Sequence, residues 1–561
     1  MPVLFAVAPD PGLRGALDGV LRGRYGADYS VVVAAEPAEA LVQLAASRDR
    51  GEQVALLLAP FSMPVLDGIG FLVKAHDLHP AARRIIVVDV GDTGPAGALN
   101  RALTLNQIDS YFGQPWASPE EEVHPVIGEA LRWWARDHQP RFEKARIIDH
   151  PSGSRGKQLR SWLERNAVAT SLLSADAPAG RSLLAERGLP AENLPVVVLY
   201  DGTVLISPSD HELAEALGAE THPRGHRYDV AIVGAGPSGL AAALYAGAEG
   251  LRAVVIEHEA VGGQAGTSSK IRNYLGFPWG ISGLELAERA SRQAERLGAE
   301  FVIARSAAGL RAEGADRIVT LSNGEEVKAA TVVLAAGVTY RRLGVPSVDA
   351  LVGAGVFYGA AVSEVQSMAG LDVFVLGGGN SAGQAASHLA GAGARVTVLV
   401  RGESLASSMS DYLIRELENS PNVTVRLGAE IADAGTDRQL DHLVIRDRSS
   451  GKTSEHPADA LFIFIGARPH TDWLNGVLST DPHGFLLTGT EVLHAEPCLW
   501  PDTRPPSWLE TSMPGVFAVG DVRSGSSKRV AAAVGEGSTA AMLMLEYLKA
   551  ATETSAPATT G

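Results

Sequence analysis

Two glycine-rich turns, each set between an apolar strand and a helical stretch, constrain this chain more than any other feature. The first follows Tyr228-Asp229-Val230-Ala231-Ile232-Val233 and reads Gly234-Ala235-Gly236-Pro237-Ser238-Gly239. A helix is expected from Leu240 to Gly250, then a second strand, Ala253–Ile256, ending in Glu257. Each residue type has a physical task. Gly234 permits the tight turn, Gly236 lets backbone approach a pyrophosphate, and Gly239 lets helix pack on strand, while the helix N-terminus faces the negative charge. Pro237 and Ser238, inside the turn, are candidate contacts to the dinucleotide. Glu257, about twenty residues on, offers a carboxylate to ribose hydroxyls. The glycine pattern alone is weak evidence, but the full strand–turn–helix–strand–acid context reads as a dinucleotide site.

The second unit repeats this logic. Asp372-Val373-Phe374-Val375-Leu376 leads into Gly377-Gly378-Gly379-Asn380-Ser381-Ala382, a helix to Ala390, and a strand Arg395–Val400. That strand ends in Arg401 rather than an acid. An arginine there suits a 2′-phosphate, favouring NADPH over NADH. A solvated surface arginine, with Glu403 close by, is the competing reading.

The 561 residues are too many for one core. A net charge of −16 leaves no basic excess for tracking nucleic-acid phosphates. No apolar run approaches a membrane span, and the first residues lack the basic region of a signal peptide, so a cytoplasmic protein is expected. The single cysteine, Cys498, excludes disulfide scaffolds and cysteine-based metal centres, and no metal site is expected.

Residues 226–550 resemble the low-molecular-weight thioredoxin reductase family. Besides the two turns, the resemblance rests on Gly262-Gly263-Gln264, Asn273, Ala335-Ala336-Gly337, Gly466, Gly520-Asp521 and Arg529-Val530-Ala531. It implies an FAD domain in two parts, 223–343 and 467–550, with the NAD(P)H domain, 344–466, inserted between, and a homodimer. It also implies that Gly520-Asp521 holds the ribityl–phosphate region of FAD. The helix opened by Arg529 would approach the flavin, where its positive end favours the anionic reduced form.

The same resemblance places a redox Cys-x-x-Cys about fourteen residues before the second turn. Here that window reads Ala360-Ala361-Val362-Ser363. Serine cannot cycle between thiol and disulfide, so the dithiol relay is excluded on chemistry. Glu364, next in line, is a candidate general acid, with a solvated carboxylate as the plain alternative. A Pro- and Trp-rich insertion between Gly484 and Met513 is expected to be a loop packed on the FAD domain.

Residues 1–140 alternate short apolar strands (Leu4–Ala8, Val31–Ala34, Val54–Ala59, Arg84–Asp89, Gln107–Phe112) with helical stretches and resemble a response-regulator receiver, a flavodoxin-like fold. The acidic pair after the first strand is reduced to Asp10, the phosphoacceptor slot is Pro60, the hydroxyl slot is Asp89 and the lysine slot is Gln114. A metal and an acyl phosphate cannot be assembled from these, so a pseudo-receiver is expected, with Asp67 the one rival acceptor. Residues 141–222 resemble a thioredoxin fold, with Leu194-Pro195 in the cis-proline position and His150-Pro151-Ser152-Gly153-Ser154 where thiols would stand. The tail, 551–561, is expected to be disordered.

The whole is therefore expected to be α/β, with four modules including two Rossmann-like ones. Hydride is expected to pass from NADPH to FAD and on to an external acceptor, a small molecule or a protein. A redox sensor signalling through the pseudo-receiver is the alternative.

Overall fold

The structure is a computed structural model that describes the chain apart from residues 92–95, 106, 139–142, 151–152, 191, 269–270, 272, 278–279, 353, 359–367, 436–438 and 556–561. It divides into two compact units, one of residues 1–141 and 342–465, the other of residues 142–341 and 466–561.

In the second of these units, strand Tyr228–Val233 pairs in parallel with Ala253–Glu257 on one side and Glu326–Leu334 on the other. Glu300–Ile303 extends the sheet beyond Ala253–Glu257, and Asp316–Leu321 and Ala307–Glu313 extend it antiparallel on the far side. Val516–Ala518, from beyond the inserted segment, joins Glu326–Leu334 in parallel. One sheet is thus assembled from both halves of a split sequence. Its central strands carry the apolar runs Val230–Val233 and Ala253–Ile256 because both faces are covered. Helices Pro237–Ala248 and Val530–Ser555 bury Leu240, Ala243, Ala540 and Met544 against one face. Val254, Val332, Leu478 and Leu486 fill the other.

The same unit carries a four-stranded mixed sheet in the order Thr170–Ser174, Ala145–Asp149, Val196–Leu199, Val204–Ile206. Helix Ser154–Arg165 packs Leu159, Trp162 and Leu163 onto it. The Leu194–Pro195 peptide bond is cis.

The first unit holds a parallel sheet in the order Ser30–Ala34, Val3–Val7, Val54–Pro60, Arg83–Asp89, Ser110–Gln114. It also holds a second parallel sheet in the order Val356–Tyr358, Ala460–Ile463, Asp372–Leu376, Arg395–Val400, Val423–Leu427. Helix Asn380–Gly391 follows the second glycine turn. An antiparallel trio, Ala429–Ala434, His442–Asp447 and Thr453–Pro457, completes it.

Three expectations shift. The fifth strand is Ser110–Gln114 rather than Gln107–Phe112, because Ile108 turns into the core of the sheet below it. The last helix runs to Ser555, five residues into the stretch expected to be disordered; Ala551, Thr552 and Glu553 contain no helix breaker. Gly466 belongs to the unit that carries the first glycine turn, where its carbonyl accepts from the Arg341 N–H at 3.1 Å, and not to the unit of the second turn.

Candidate functional site

The first glycine turn opens a cavity of about 370 Å³, within the range of cofactor sites. Gly234, Gly236, Pro237 and Ser238 form one wall. The turn is as tight as its glycines suggest: a Cβ on Gly239 would lie 1.9 Å from the Gly234 carbonyl oxygen. Gly239 thus serves by packing and does not line the cavity. Gly236 does line it, and a Cβ there would meet no atom within 4 Å.

At one end stands Glu257, closing its strand. Its Oε2 accepts from the Ala235 N–H at 2.7 Å, and its Oε1 from the N–H groups of Glu259 at 2.8 Å and Ala260 at 3.2 Å. Burial pushes this carboxyl above the usual carboxylate range, against the opposing pull of the three N–H donors. His258, Glu259, Arg305 and Ser306 continue the wall beyond it.

At the other end, Asp521 lies on the short turn Gly520–Val522, and Lys528, Arg529, Val530 and Ala533 present the start of the last helix. Burial raises the Asp521 carboxyl, and Lys528 draws it back in part. Glu536 fixes this corner, accepting from the Gly520 N–H and from the Arg523 guanidinium, each at 2.6 Å. Two helix N-termini therefore face one cavity, and their partial positive charges suit a diphosphate. Gly263, Gln264, Ala336 and Gly337 line the middle.

Not every expected residue arrives. Asn273 is exposed in a loop, Gly520 sits behind Ser238, and Ala531 faces away; none of the three lines the cavity. The sequence reading missed Tyr340, which lies beside Asp521, Arg165 and Arg305 at the Glu257 end, and His470 and Trp473, which also line the cavity. Tyr340 ends the short strand Val338–Tyr340 and His470 follows its antiparallel partner Ala467–Pro469, and neither strand carries a pattern that marks them. Nothing in the sequence marks Arg165.

The second turn lies in the other unit. Gly377 has φ of 150°, and a Cβ on it would come within 2.5 Å of the Phe464 carbonyl oxygen. Gly379 precedes the helix Asn380–Gly391, whose first residues Asn380 and Ser381 are exposed and whose Ala382 is buried. The segment after Arg401 is tied to the turn: Ser408 Oγ donates to the Gly378 carbonyl and Asn380 Oδ1 accepts from the Ser410 N–H, both at 2.8 Å. Arg401 is exposed, and its guanidinium has no partner among the described residues. Ala360, Ser363 and Glu364 lie outside the described residues. Cys498 is exposed, its thiol 3.7 Å from the Val492 carbonyl oxygen. It belongs to the Pro/Trp-rich insertion, which Arg504 pins by a paired grip on the buried Glu510 carboxylate, both contacts at 2.7 Å.

In the amino-terminal sheet the acids are already engaged. Asp10 caps the helix Pro11–Tyr25, accepting from the Leu13 N–H at 2.7 Å, and Asp67 caps Gly68–Leu78 through the Gly70 N–H at 2.6 Å. Arg14 donates to the carbonyls of Ala8 and Pro9. Gln114 donates to Asp89 at 2.7 Å. His211, Glu215 and His222 approach one another within 4.8 Å, but the Arg305 guanidinium occupies His211 Nε2 at 2.7 Å, an unfavourable neighbour for a cation.

Residues 228–537 match the model of the "Pyridine nucleotide-disulphide oxidoreductase" family. An alkyl hydroperoxide reductase component of Pseudomonas putida is 33% identical over 348 residues, 62% of each chain. Thioredoxin reductase of Peptoclostridium acidaminophilum is 30% identical over 58% of this chain and 98% of its own. The crystal structure of thioredoxin reductase from Streptococcus pyogenes MGAS5005 aligns with a TM-score of 0.51 at 30% identity, covering 58% of this chain and 99% of that one. The chain thus spans less than two thirds of the hydroperoxide reductase component and nearly all of the thioredoxin reductases. Membership implies FAD and NAD(P)H. The chain belongs to the pyridine nucleotide-disulphide oxidoreductase family, and its carboxy-terminal 58% or so is thioredoxin-reductase-like.

Proposed function

We propose that this protein is an NADPH-dependent FAD oxidoreductase that delivers electrons to an acceptor other than an internal disulfide. The observation that carries the proposal is a family frame with both dinucleotide turns in place in a chain whose one cysteine is Cys498. A dithiol relay needs two sulfurs, one attacking and one leaving, and a serine hydroxyl at 363 can do neither.

The described residues fit FAD. Gly236 leaves open space where a side chain would otherwise stand, and the helix beginning at Pro237 directs its free N–H groups at that space. Glu257 would hold the ribose hydroxyls and Asp521 the ribityl chain. Lys528 and Arg529, with the N-terminus of the last helix, supply positive charge for the flavin end. Bound FAD supplies the two-electron redox chemistry, which protein side chains lack. Tyr340, pushed up by burial and by the nearby Asp521 carboxylate, keeps its phenol protonated and so able to donate a hydrogen bond there. Thr339 and His470 pair at 2.6 Å beside it, a polar couple next to the cavity.

In the other unit, Asn380 and Ser381 open the helix that would receive the NADPH pyrophosphate, and the unengaged Arg401 would receive the 2′-phosphate. The first amino-terminal module is read as a docking element rather than a phosphorylation switch, and the second as a scaffold rather than a thiol switch. The capping duty of Asp10 and Asp67 supports this for the first, and the absence of a thiol supports it for the second.

The test is anaerobic: NADPH should bleach the flavin in a single turnover, and a screen of quinones, disulfides, peroxides and oxygen should then identify what reoxidises it. A flavin that NADPH never bleaches would overturn the oxidoreductase reading.

A further inference from the structure

The cavity wall at the Glu257 end is not made by the dinucleotide-binding part alone. Arg165 closes the helix Ser154–Arg165 of the four-stranded module, yet it lines the cavity beside Glu257, His258 and Glu259. Its Nη1 donates to Glu259 Oε2 at 2.8 Å, and the next residue, Asn166, donates through Nδ2 to the Glu259 carbonyl at 3.1 Å.

The module is bound firmly enough for this contact to be a fixed one. Ile303 and Ala304, from the dinucleotide-binding sheet, pack into the module's own core with Leu159, Leu163 and Leu213. The Ile303 N–H donates to the Glu220 carbonyl at 2.9 Å. Arg305, which follows, is 8% exposed. Its Nε donates to the Thr221 carbonyl at 3.1 Å and its Nη2 to His211 Nε2 at 2.7 Å, while its own N–H donates to the Glu257 carbonyl at 3.1 Å. The strand end that forms the wall is thus held from behind by the module. The module lies outside the 228–537 family match, and the Peptoclostridium thioredoxin reductase, matched over 98% of its length, aligns with only 58% of this chain.

Glu257 marks the ribose on the adenosine side of a dinucleotide, so the space beyond it takes the purine. A planar guanidinium at that place is suited to stack on an aromatic face. We propose that Arg165 is an adenosine clamp, and that the module lacking thiols serves to retain FAD. The proposal rests on the FAD reading above and adds a residue and a role to it.

The experiment uses full-length protein stripped of flavin and titrated with FAD by fluorescence, with ADP and FMN as competitors. ADP carries the adenosine without the flavin, and FMN the flavin without the adenosine. Arg165→Ala should weaken FAD and ADP roughly tenfold and leave FMN unchanged. Arg165→Lys should lose most of the same affinity while keeping a cation opposite Glu259. Equal FAD affinity in wild type and Arg165→Ala overturns the clamp. So does an equal loss for ADP and FMN together with a lowered melting temperature of the apoprotein, because that pattern belongs to a scaffold residue. A wild type that binds no FAD would instead refute the flavoprotein reading.

Discussion

The Ala235 N–H, inside the first glycine turn, donates to Oε2 of Glu257 at 2.7 Å across 22 residues of sequence. Turn and acid are therefore tied directly to one another. Glu257→Gln would set an amide NH2 or a single carbonyl against three backbone N–H donors and leave at least one buried donor unmet. The apoprotein should lose about 1–3 kcal/mol of stability in urea unfolding, and FAD affinity should fall with it. An unchanged unfolding midpoint would show that those bonds are dispensable.

Gly236 has φ of −69° and ψ of 179°, ordinary for any residue, and a Cβ there meets nothing. Gly236→Leu should fold with a melting temperature close to that of the wild-type apoprotein. It should nevertheless emerge colourless, because the leucine fills the space reserved for pyrophosphate. Purification with a normal flavin absorbance ratio would contradict this assignment.

Burial raises the Asp521 carboxyl above its ordinary value. The native state then holds its proton more tightly than the unfolded chain, so this group costs stability as pH rises from the unfolded carboxylate range through the raised native value. Asp521→Asn should melt higher than wild-type apoprotein at neutral pH. The advantage should vanish in acid, where aspartate is itself neutral. FAD binding should weaken in the same variant, since an amide accepts less well from ribityl hydroxyls. A thermal shift independent of pH would point to some other cause.

Arg401 stands exposed at the end of strand Arg395–Val400 with no partner among the described residues. Arg401→Ala should weaken NADPH by about 1.5–3 kcal/mol and leave NADH nearly unaffected, as read by anaerobic flavin bleaching at varied nucleotide concentration. Equal losses for both nucleotides would assign Arg401 a different role.

With NADPH, the wild type should reduce neither thioredoxin nor a small aromatic disulfide at dithiol-reductase rates. Restoring the pair as Ala360→Cys with Ser363→Cys should confer such activity if the relay is all that is missing. Brisk reduction by the wild type that persists in Cys498→Ser would defeat the argument from absent cysteines.

The sequence by itself determined the local chemistry: where the glycine turns fall, which acid follows the first and which arginine the second, and that one cysteine cannot make an internal disulfide. These are legible because a βα turn and its phosphate site are built from a few contiguous residues whose backbone demands show in residue type. The caps made by Asp10 and Asp67 are local too, although only the structure shows the acids engaged, whereas the strand order of each sheet comes from pairings between distant segments.

Tertiary structure alone decided which distant residues share a wall. Asp521 and Glu257 face the same space because Val516–Ala518 joins Glu326–Leu334. Gly466 fell on the other side of the unit boundary from the turn it was assigned to. Arg165 reaches the cavity only because Ile303 and Ala304 complete another module's core. No periodicity announces such a contact. An arginine at the end of an amphipathic helix looks the same whether it meets water or a cofactor site, and only the burial of apolar surface elsewhere fixes which of the two it meets.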